Sequence, residues 1–364
     1  MCKRVFPFVW LLLGGIAGGQ PVGTPVEFGL AGYAKVLCSA VFVSFRDPAE
    51  AFRNSGYWMM PDDQQDGVTY RVDREKKLVR MTRGGITRTA KFYGDQGCII
   101  QGQDNPQQKN DGIHFTPVSV KTRLPDAATQ PWPLGDQPSK NTTDIDRARV
   151  AKAVDLAFAD PEGLTAAFLV VYKGQIVAER YMPGITKDTQ LESWSMGKSL
   201  TATLFALLVK DGTYRLEDPV PVPEWHAPGD PRAAIRIVDL MHMSGGLRFL
   251  ATQDPDYKPE MGYADHWYVY TGAIDAFHYS ISRPLQFPPN TEGRYRNCDP
   301  LTIGWLIKQA VTKRGEDYLT FPQRALFDRI GIRRQVLETD PYGNFLLTGY
   351  DYGTARNWAR IGML

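Results

Sequence analysis

The sequence has no basic patch of the kind that binds nucleic acid. It has 42 lysine and arginine residues against 40 aspartate and glutamate residues, which gives a formal net charge of +2. Lys3 and Arg4 lie in a predicted signal peptide, and without them 40 basic side chains face 40 acidic ones. Charge runs such as residues 74–77 change sign within a few positions. Because nucleic-acid binding needs clustered positive charge, we expect no nucleic-acid partner.

The sequence also has no pair of histidines at metal-ligand spacing. The five histidines form neither a His-x-His nor a His-x-x-x-His pattern; they are His114, His226, His242, His266 and His278. Zinc sites commonly draw on such pairs, so we expect no metal and no other cofactor. His242 lies on a short predicted helix and is interpreted as a packed side chain.

Cysteine is scarce, with four residues in the chain. Cys2 lies in the predicted signal peptide. In an oxidising compartment Cys38 and Cys98 could form a disulfide, which would leave Cys298 single. The alternative is two buried free thiols at these two positions.

The apolar run near the N-terminus is shorter than the about 20 residues that span a membrane. It covers residues 5–16, follows Lys3 and Arg4, and ends in the small residues of positions 15–17. This order of charge, apolar run and small residues is typical of a secretory signal peptide. We therefore predict a signal peptide at residues 1–19, export to the periplasm or the medium of a bacterium, and no stable membrane insertion after cleavage. An uncleaved N-terminal anchor is the alternative.

What remains has the composition of a globular protein, with 43% hydrophobic and 23% charged residues. Residues 20–123 form a strand-rich N-terminal region, in which Gly84 and Gly85 supply a hairpin turn. The region holds no cluster of acids, bases or metal ligands, so we expect a structural role. Its segment 33–45 is predicted as a short helix running into a strand. The predicted strands are 68–72, 78–81, 87–93 and 98–100.

Residues 124–143 have the composition of a linker, with four prolines and polar residues between them. Thr143 is predicted to cap a helix over residues 144–159, and this interpretation is preferred to glycosylation of Asn141. The second domain then covers residues 144–364.

The second domain begins with a predicted hairpin. Two apolar segments, residues 166–172 and 175–181, flank a Lys173-Gly174 turn. Further helices are predicted at 237–243, 300–313 and 353–364.

A serine and a lysine lie three residues apart at the start of the most apolar helix. Residues 199–209 contain no charged side chain, so the sequence predicts a core helix that ends at Gly212 and points Ser195 into the interior. Residues at i and i+3 share a helix face, so the amine of Lys198 would lie beside the hydroxyl of Ser195. Lys198 would act as a base only if its pKa were lowered by roughly three units from about 10.4.

A second motif, Tyr295-Arg296-Asn297, follows 100 residues after the serine. A tyrosine can carry a proton to a leaving group, and an asparagine amide can hold a substrate carbonyl. Tyr342-Gly343-Asn344 repeats the pattern, but its setting is that of a turn. Four aromatic residues either line a substrate cleft or belong to the core: Trp194, Trp267, Tyr268 and Tyr270.

These motifs together resemble the serine β-lactamase and penicillin-binding-protein-like hydrolases, on the class C side. The segments 194–199, 239–247 and 295–297 are similar to the branch that contains 6-aminohexanoate-dimer hydrolase and esterases. The resemblance implies an α+β fold with an antiparallel sheet flanked by helices and a helical subdomain. It also implies that Ser195 is acylated, that Lys198 is its base and that Tyr295 is the proton shuttle. Asn297 and Trp194 would then contact a small amide or ester substrate.

The family's third motif, Lys-Thr-Gly or His-Thr-Gly, is absent after Tyr295. We expect the natural protein to continue beyond Leu364 with the strand that carries this motif and the second oxyanion-hole donor. A non-catalytic cell-envelope binding protein that keeps the scaffold is the alternative function. The motifs leave open the substrate, which could be a β-lactam, a D-alanyl peptide, an ester or an amide oligomer. They also leave open the oligomeric state.

Overall fold

The computed structural model describes residues 21–56, 59–60, 65–102, 112–138 and 144–364. The predicted signal peptide, Asn141 and Thr143 lie outside these ranges.

The named strands pair only in antiparallel fashion, and they and the helices occur in separate runs along the described chain, which confirms the predicted α+β class. The α-helices are α1 (Pro25–Phe42), α2 (Pro48–Ser55), α3 (Arg147–Ala157), α4 (Gly197–Lys210), α5 (Ile237–Met241), α6 (Asp265–Thr271), α7 (Ala276–Ile281), α8 (Cys298–Lys313), α9 (Phe321–Ala325) and α10 (Ala355–Gly362). The strands are β1 (Thr69–Asp73), β2 (Leu78–Arg83), β3 (Ile86–Phe92), β4 (Cys98–Ile100), β5 (Ala167–Tyr172), β6 (Gln175–Tyr181), β7 (Leu191–Glu192), β8 (Val336–Leu337) and β9 (Asp351–Gly353).

Helix α1 begins with a complete capping box. The Thr24 side chain accepts a hydrogen bond from the Glu27 backbone, and Glu27 accepts one from the Thr24 backbone at 2.7 Å. Pro25 suits the first helical position because no N–H is needed there. The strand predicted within residues 33–45 is wrong, since α1 continues to Phe42. An apolar run of this kind does not by itself distinguish a buried helix from a strand.

The strands β1 to β4 form an antiparallel meander, and all four were predicted from the alternation of apolar residues. Their order in the sheet is β1-β2-β3-β4. Gly84 and Gly85 connect β2 to β3, and both have positive φ angles, of 54° and 81°. Glycine adopts this conformation without the steric cost of a Cβ atom, so the two-residue turn forms easily.

A disulfide joins α1 to β4. Cys38 and Cys98 are bonded across 60 residues of sequence, and both are buried. They belong to a small hydrophobic core between α1 and the meander, to which Leu37 and Val79 also contribute. Cys298 is free and buried.

Helix α1 also belongs to the larger hydrophobic core, which is formed mostly by residues after the predicted linker. Phe28, Val36 and Val43 pack there. Lys35, on the same helix, forms an ion pair with Glu338 at 2.6 Å, and both side chains are almost completely buried. Removing one member of such a pair leaves an uncompensated charge, which typically costs about 3–5 kcal/mol. The N-terminal region is therefore held to the rest of the protein by both apolar and ionic contacts.

Glu338 collects contacts from two parts of the N-terminal region. Its Oε1 atom accepts hydrogen bonds from the Ser39 hydroxyl at 2.6 Å and from the Cys98 backbone at 2.7 Å. Glu338 follows β8 directly, so these bonds fix β8 against α1 and β4.

The part of the chain predicted as the second domain begins with helix α3 and the β5–β6 hairpin. The hairpin and its Lys173-Gly174 turn are confirmed. Helix α3 is shorter than predicted, because its N-cap is Asp146. The Asp146 carboxylate accepts hydrogen bonds from the backbone N–H groups of Ala148 and Arg149. The helix predicted at 300–313 is confirmed as α8.

A three-stranded sheet lies next to the start of α4. Its order is β7-β9-β8, and both pairs are antiparallel. The pairing sets Glu192 opposite Tyr352. Because β7 ends immediately before Ser193, the sheet determines where the chain turns into α4.

The described part of the predicted linker, residues 124–138, packs against the second domain. Trp132 is buried, and its indole N–H donates a hydrogen bond to the Gly174 carbonyl at 2.9 Å. The Arg360 guanidinium lies 4.7 Å from the centre of the Trp132 ring. These contacts fix this segment on the surface of the domain.

Within the described part of the chain, α1 is the one helix long and apolar enough to cross a membrane by length and composition. However, 83% of its apolar stretch is buried inside the protein. Core helices of globular proteins pass the same test, so this helix is weak evidence for a membrane span.

Reducing the disulfide should destabilise the protein. Closing a loop of 60 residues stabilises a folded chain by up to about 4 kcal/mol through the entropy of the unfolded state. We expect a loss of about 2–4 kcal/mol in the free energy of unfolding, measured by urea titration with and without reductant. Reductant should lower the free energy of unfolding of Cys298→Ala by the same amount as that of the native protein, because the Cys298 thiol is not part of the disulfide. Identical unfolding curves in the two conditions would contradict the prediction.

Candidate active site

Ser195 lies at the surface, in a short turn before α4. The turn is a 3-10 helix, Trp194–Met196, and α4 begins at Gly197. The prediction that Ser195 points into the interior is wrong, because the residue is exposed. The buried side of α4 is a stripe that includes Leu200, Leu204 and Leu208. Ser195 precedes the helix and lies off this stripe, so its hydroxyl is accessible from solvent.

The residue before the serine has a strained backbone. Trp194 has a φ angle of +44°, which is uncommon for a residue with a bulky side chain. Conformations of this kind cost of order 1–3 kcal/mol and are concentrated at functional sites. The backbone before Trp194 is fixed by a hydrogen bond, since the Ser193 N–H donates to the Asp351 carbonyl at 2.8 Å.

The amine of Lys198 lies beside the Ser195 hydroxyl. The Nζ atom donates hydrogen bonds to Ser195 Oγ at 3.0 Å and to the Thr348 carbonyl at 3.1 Å. The i, i+3 spacing and the first turn of α4 bring the two side chains together. The structure therefore places the serine and lysine of the Ser-x-x-Lys motif in direct contact.

Burial lowers the pKa of Lys198 below its usual value, because the ammonium form loses hydration. The nearby Tyr295 side chain acts in the opposite direction. A lowered pKa increases the fraction of neutral amine near neutral pH, and only the neutral amine can accept a proton from serine.

Tyr295 lies on the other side of Lys198. The Lys198 Nζ atom is 4.8 Å from the centre of the Tyr295 ring. Tyr295 is 44% exposed, so its side chain faces both the lysine and solvent. Ser195, Lys198 and Tyr295 thus form one contiguous group, although Tyr295 lies far from the other two in sequence.

Asn297 is completely buried. Its Nδ2 atom donates hydrogen bonds to the His266 carbonyl at 3.1 Å and to the Tyr270 hydroxyl at 2.9 Å. Its Oδ1 atom is buried and has no hydrogen-bond partner among the described residues. The predicted contact with substrate stays a prediction, while the observed bonds hold the start of α8 against α6.

A short chain of hydrogen bonds continues from Asn297 to the lysine. The Tyr270 hydroxyl donates to the Thr348 hydroxyl at 2.6 Å, and the Thr348 carbonyl accepts from Lys198. Segment 345–350, which carries Thr348, had no role in the sequence predictions. Its residue types gave no signal, because it contacts the lysine through a backbone carbonyl.

His266 also lies beside the group. Its ring centre is 6.2 Å from that of Tyr295. Burial and the nearby Lys198 charge lower the pKa of His266 to about 3, so the imidazole is neutral at neutral pH. The histidine spacing predicted no metal site, and no sequence motif pointed to His266. Its position directly before Trp267 in the aromatic helix α6 was the available signal.

The four aromatic residues divide into two pairs. The Trp194 and Trp267 rings are 6.0 Å apart in an edge-to-face arrangement, and both are partly exposed. Tyr268 and Tyr270 are buried in the large core. Trp194 precedes Ser195 and Trp267 packs against Trp194, so the first pair can contact a substrate. In the second pair, Tyr270 is hydrogen-bonded to Asn297 and Thr348, whereas Tyr268 packs against Phe28 and Tyr279.

Two carboxyl groups are buried under the turn that carries Ser195. Burial raises the pKa of Asp351 to about 8 and that of Glu192 to about 8, and the Glu338 charge adds to both shifts. Asp351 Oδ2 accepts a hydrogen bond from the Ser193 hydroxyl at 3.4 Å. Both groups are therefore protonated at neutral pH. An ionised Asp351 would raise the pKa of Lys198. A protonated Asp351 therefore favours the neutral form of the Lys198 amine.

Gly197 lies directly above the Asp351 carboxyl. A Cβ atom at this position would lie 2.0 Å from Asp351 Oδ2. The first residue of α4 must therefore be glycine for the helix to begin this close to β9.

The second Tyr-x-Asn sequence forms a turn, as predicted. The Gly343 backbone N–H donates to the Asp340 carbonyl at 3.1 Å, and Tyr342 stacks on His114. Tyr342 is 38% exposed. In the described ranges, no group of three or more His, Cys, Asp or Glu side chains could hold a metal ion.

A sequence model of the family described as Beta-lactamase matches residues 151–362, more than half of the chain. A Bacillus anthracis protein assigned as a 6-aminohexanoate-dimer hydrolase has 20% identity over 55% of this chain and 53% of its own, with a TM-score of 0.45. A Bacteroides dorei DSM 17855 protein assigned as a beta-lactamase has 19% identity over 60% of this chain and 62% of its own, with a TM-score of 0.45. D-alanine carboxypeptidase AmpC from Burkholderia cenocepacia has 21% identity over 59% of this chain and 64% of its own, with a TM-score of 0.40.

The chain thus spans 53% and 62% of the length of the first two of these proteins. The structural likenesses are modest, so the family assignment depends on the family match.

Replacing Asp351 with asparagine should flatten the dependence of stability on pH. An aspartate ionises at about pH 4 in the unfolded chain, whereas Asp351 keeps its proton in the folded protein up to about pH 8. Its contribution to stability is complete below the unfolded pKa and is lost as the pH rises through this window. Asp351→Asn removes a slope of up to about 1.4 kcal/mol per pH unit in the free energy of unfolding.

Urea unfolding of the two proteins between pH 5 and about pH 8 would measure this slope. Asp66→Asn is the control, because Asp66 is exposed. Parallel pH profiles for the native protein and Asp351→Asn would contradict the prediction.

Proposed function

Because the chain belongs to the Beta-lactamase family, we propose that it is a serine hydrolase that cleaves amide or ester bonds through an acyl-enzyme on Ser195. The observation that carries this proposal is the 3.0 Å hydrogen bond between Lys198 Nζ and Ser195 Oγ. The lowered pKa of Lys198 adds to it, because a serine hydroxyl attacks a carbonyl only when a base accepts its proton.

In the acylation step, the neutral Lys198 amine takes the proton of Ser195 Oγ. The oxygen attacks the substrate carbonyl carbon and forms a tetrahedral oxyanion. The bond to the leaving amine or alcohol then breaks, and Tyr295 gives this group a proton while it receives one from Lys198. The products of this step are the acyl-enzyme, the neutral leaving group and a regenerated amine.

Deacylation runs the same proton transfers in reverse. Tyr295 and Lys198 accept a proton from a water molecule, whose oxygen attacks the ester carbon on Ser195. Collapse of the second tetrahedral oxyanion releases the carboxylic acid, and the proton returns to Ser195 Oγ. The exposed position of Tyr295 suits this role, because both the leaving group and water approach from solvent.

The oxyanion needs hydrogen-bond donors in addition to the nucleophile and base. We expect the backbone N–H of Ser195 to be one of them, since it lies at the N-terminal end of α4. A single donor of this kind is worth about 3–4 kcal/mol in the transition state.

The surroundings of Ser195 favour a substrate with an apolar group next to the scissile bond. Trp194 and Trp267 offer partly exposed aromatic surface, and His266 is uncharged. Pocket shape decides among β-lactams, D-alanyl peptides, esters and amide oligomers. Export of the protein to the periplasm or the medium is part of the same proposal, and it is supported by the pattern of residues 3–17 and by the disulfide.

A fluorophosphonate probe should label Ser195 in the folded protein. The probe reacts with a serine that is activated by a base, so Ser195→Ala should abolish labelling, as measured by mass spectrometry of the peptide. Ser199→Ala should leave labelling unchanged, because the hydroxyl of this exposed serine on the first turn of α4 is not among the hydrogen-bond partners of the Lys198 amine in the described chain. A folded protein that stays unlabelled, and that binds a ligand without turnover, would instead support the non-catalytic alternative.

Replacing Tyr295 with phenylalanine should slow amide hydrolysis more than ester hydrolysis. A positioned acid contributes about 10²–10⁴-fold to a step in which the leaving group needs a proton. An amine leaving group needs one, whereas p-nitrophenolate does not. We therefore expect Tyr295→Phe to lower kcat for an anilide by about 10²-fold or more and to change acylation by a p-nitrophenyl ester much less.

Tyr342→Phe is the matched control, since Tyr342 has similar exposure and lies in the second Tyr-x-Asn sequence. It should leave both rates unchanged. Equal losses on the two substrates in Tyr295→Phe would contradict a role as proton shuttle.

A further inference from the structure

A cavity of about 290 Å³ lies between the linker segment, residues 331–334 and helix α10. Its volume corresponds to roughly ten water molecules. None of the residues that line it belongs to the group around Ser195. Five cationic side chains contribute to its wall: Lys187, Arg333, Arg334, Arg356 and Arg360.

Three of these cations are neutralised by carboxylates. Asp136 pairs with Lys187 at 3.2 Å, with Arg356 at 3.4 Å and with Arg360 at 3.0 Å. Asp188 also pairs with Lys187, and Glu179 pairs with Arg356. Three carboxylates therefore offset these three cations; Asp136 and Asp188 line the cavity, and Glu179 reaches it only through Arg356.

The other two cations have no carboxylate partner within the described ranges. Arg333 donates only to backbone carbonyls, including that of Leu134 at 2.9 Å, and its Nη2 atom is buried without a hydrogen-bond partner. Arg334 is exposed and its side chain makes no hydrogen bond or ion pair in the part of the chain that the structure describes. Two positive charges thus remain uncompensated at one cavity.

The N-terminal end of α10 faces the same cavity. Thr354, which caps this helix, lines the cavity together with Arg356 and Asn357. The partial positive charge of a helix N-terminus adds to that of the guanidinium groups. The two arginines without a carboxylate partner and the N-terminus of α10 therefore all add positive charge at this cavity.

We propose that this cavity binds the phosphate group of a small molecule. Two uncompensated guanidinium groups match the charge of about −2 that a phosphate monoester carries at neutral pH. Arginine also presents its N–H groups in a planar fork that fits phosphate oxygens. The ligand is either inorganic phosphate or a phosphate monoester, since the two share this chemistry.

Isothermal titration of the full chain with inorganic phosphate and with methyl phosphate tests the proposal. Both should bind, and a tighter interaction with methyl phosphate would identify a monoester as the preferred source. Arg334→Gln should weaken binding about tenfold, as expected for the loss of a hydrogen bond between charged groups. The hydrogen bond that Arg334 accepts from Asn357 uses the Arg334 backbone carbonyl, which the substitution keeps, so this variant should fold normally. Arg333→Gln should weaken binding further, but it also loses bonds to the linker segment.

Arg329→Gln is the matched control, because Arg329 is exposed and does not line the cavity. It should bind phosphate as the native protein does. Acetate at the same ionic strength should bind much more weakly than phosphate, since it carries one charge. Absence of phosphate binding, equal binding of acetate, or unchanged binding in Arg334→Gln would each overturn the proposal.

Discussion

The pairing of β7 with β9 is the constraint on which the candidate site depends. It fixes Ser193 against Asp351, and the chain turns from there through the strained Trp194 to Ser195. The segment before β9 supplies the Thr348 carbonyl that holds Lys198. On its other edge β9 pairs with β8, and Glu338 then connects β8 to α1. A continuous series of backbone and ionic contacts thus connects the N-terminal region to the turn that carries Ser195.

Burial gives the proposed site its chemistry by keeping ionisable groups uncharged. The pKa values of Asp351 and Glu192 are raised, and those of Lys198 and His266 are lowered. Burial is the largest cause of all four shifts, since a charged group loses hydration when it is buried. A neutral lysine is what a base for serine requires. At the cavity proposed to bind phosphate, two arginines have no carboxylate partner within the described ranges.

Local patterns in the sequence predicted much of the fold. The β5–β6 hairpin, the β1–β4 meander and α8 follow from apolar alternation or apolar runs and from turn residues, which act over a few positions. The two wrong predictions also arose from patterns that cover only a few positions. Ser195 was expected inside because the helical pattern was extended one turn too far, into a 3-10 turn. The predicted strand within 33–45 belongs to α1, because a buried helix and a buried strand can share one apolar run.

The sequence by itself determined the types of residue at the site and the contact between Ser195 and Lys198, because three residues of helix bring two side chains together wherever the helix lies. Only the tertiary structure decided that Tyr295 lies beside them, that Asn297 is buried, and that His266 and the Thr348 carbonyl complete the surroundings. It also decided the protonation states, since a pKa depends on burial and on neighbours that lie far apart in the chain. Spacing along the chain carries no information on either quantity.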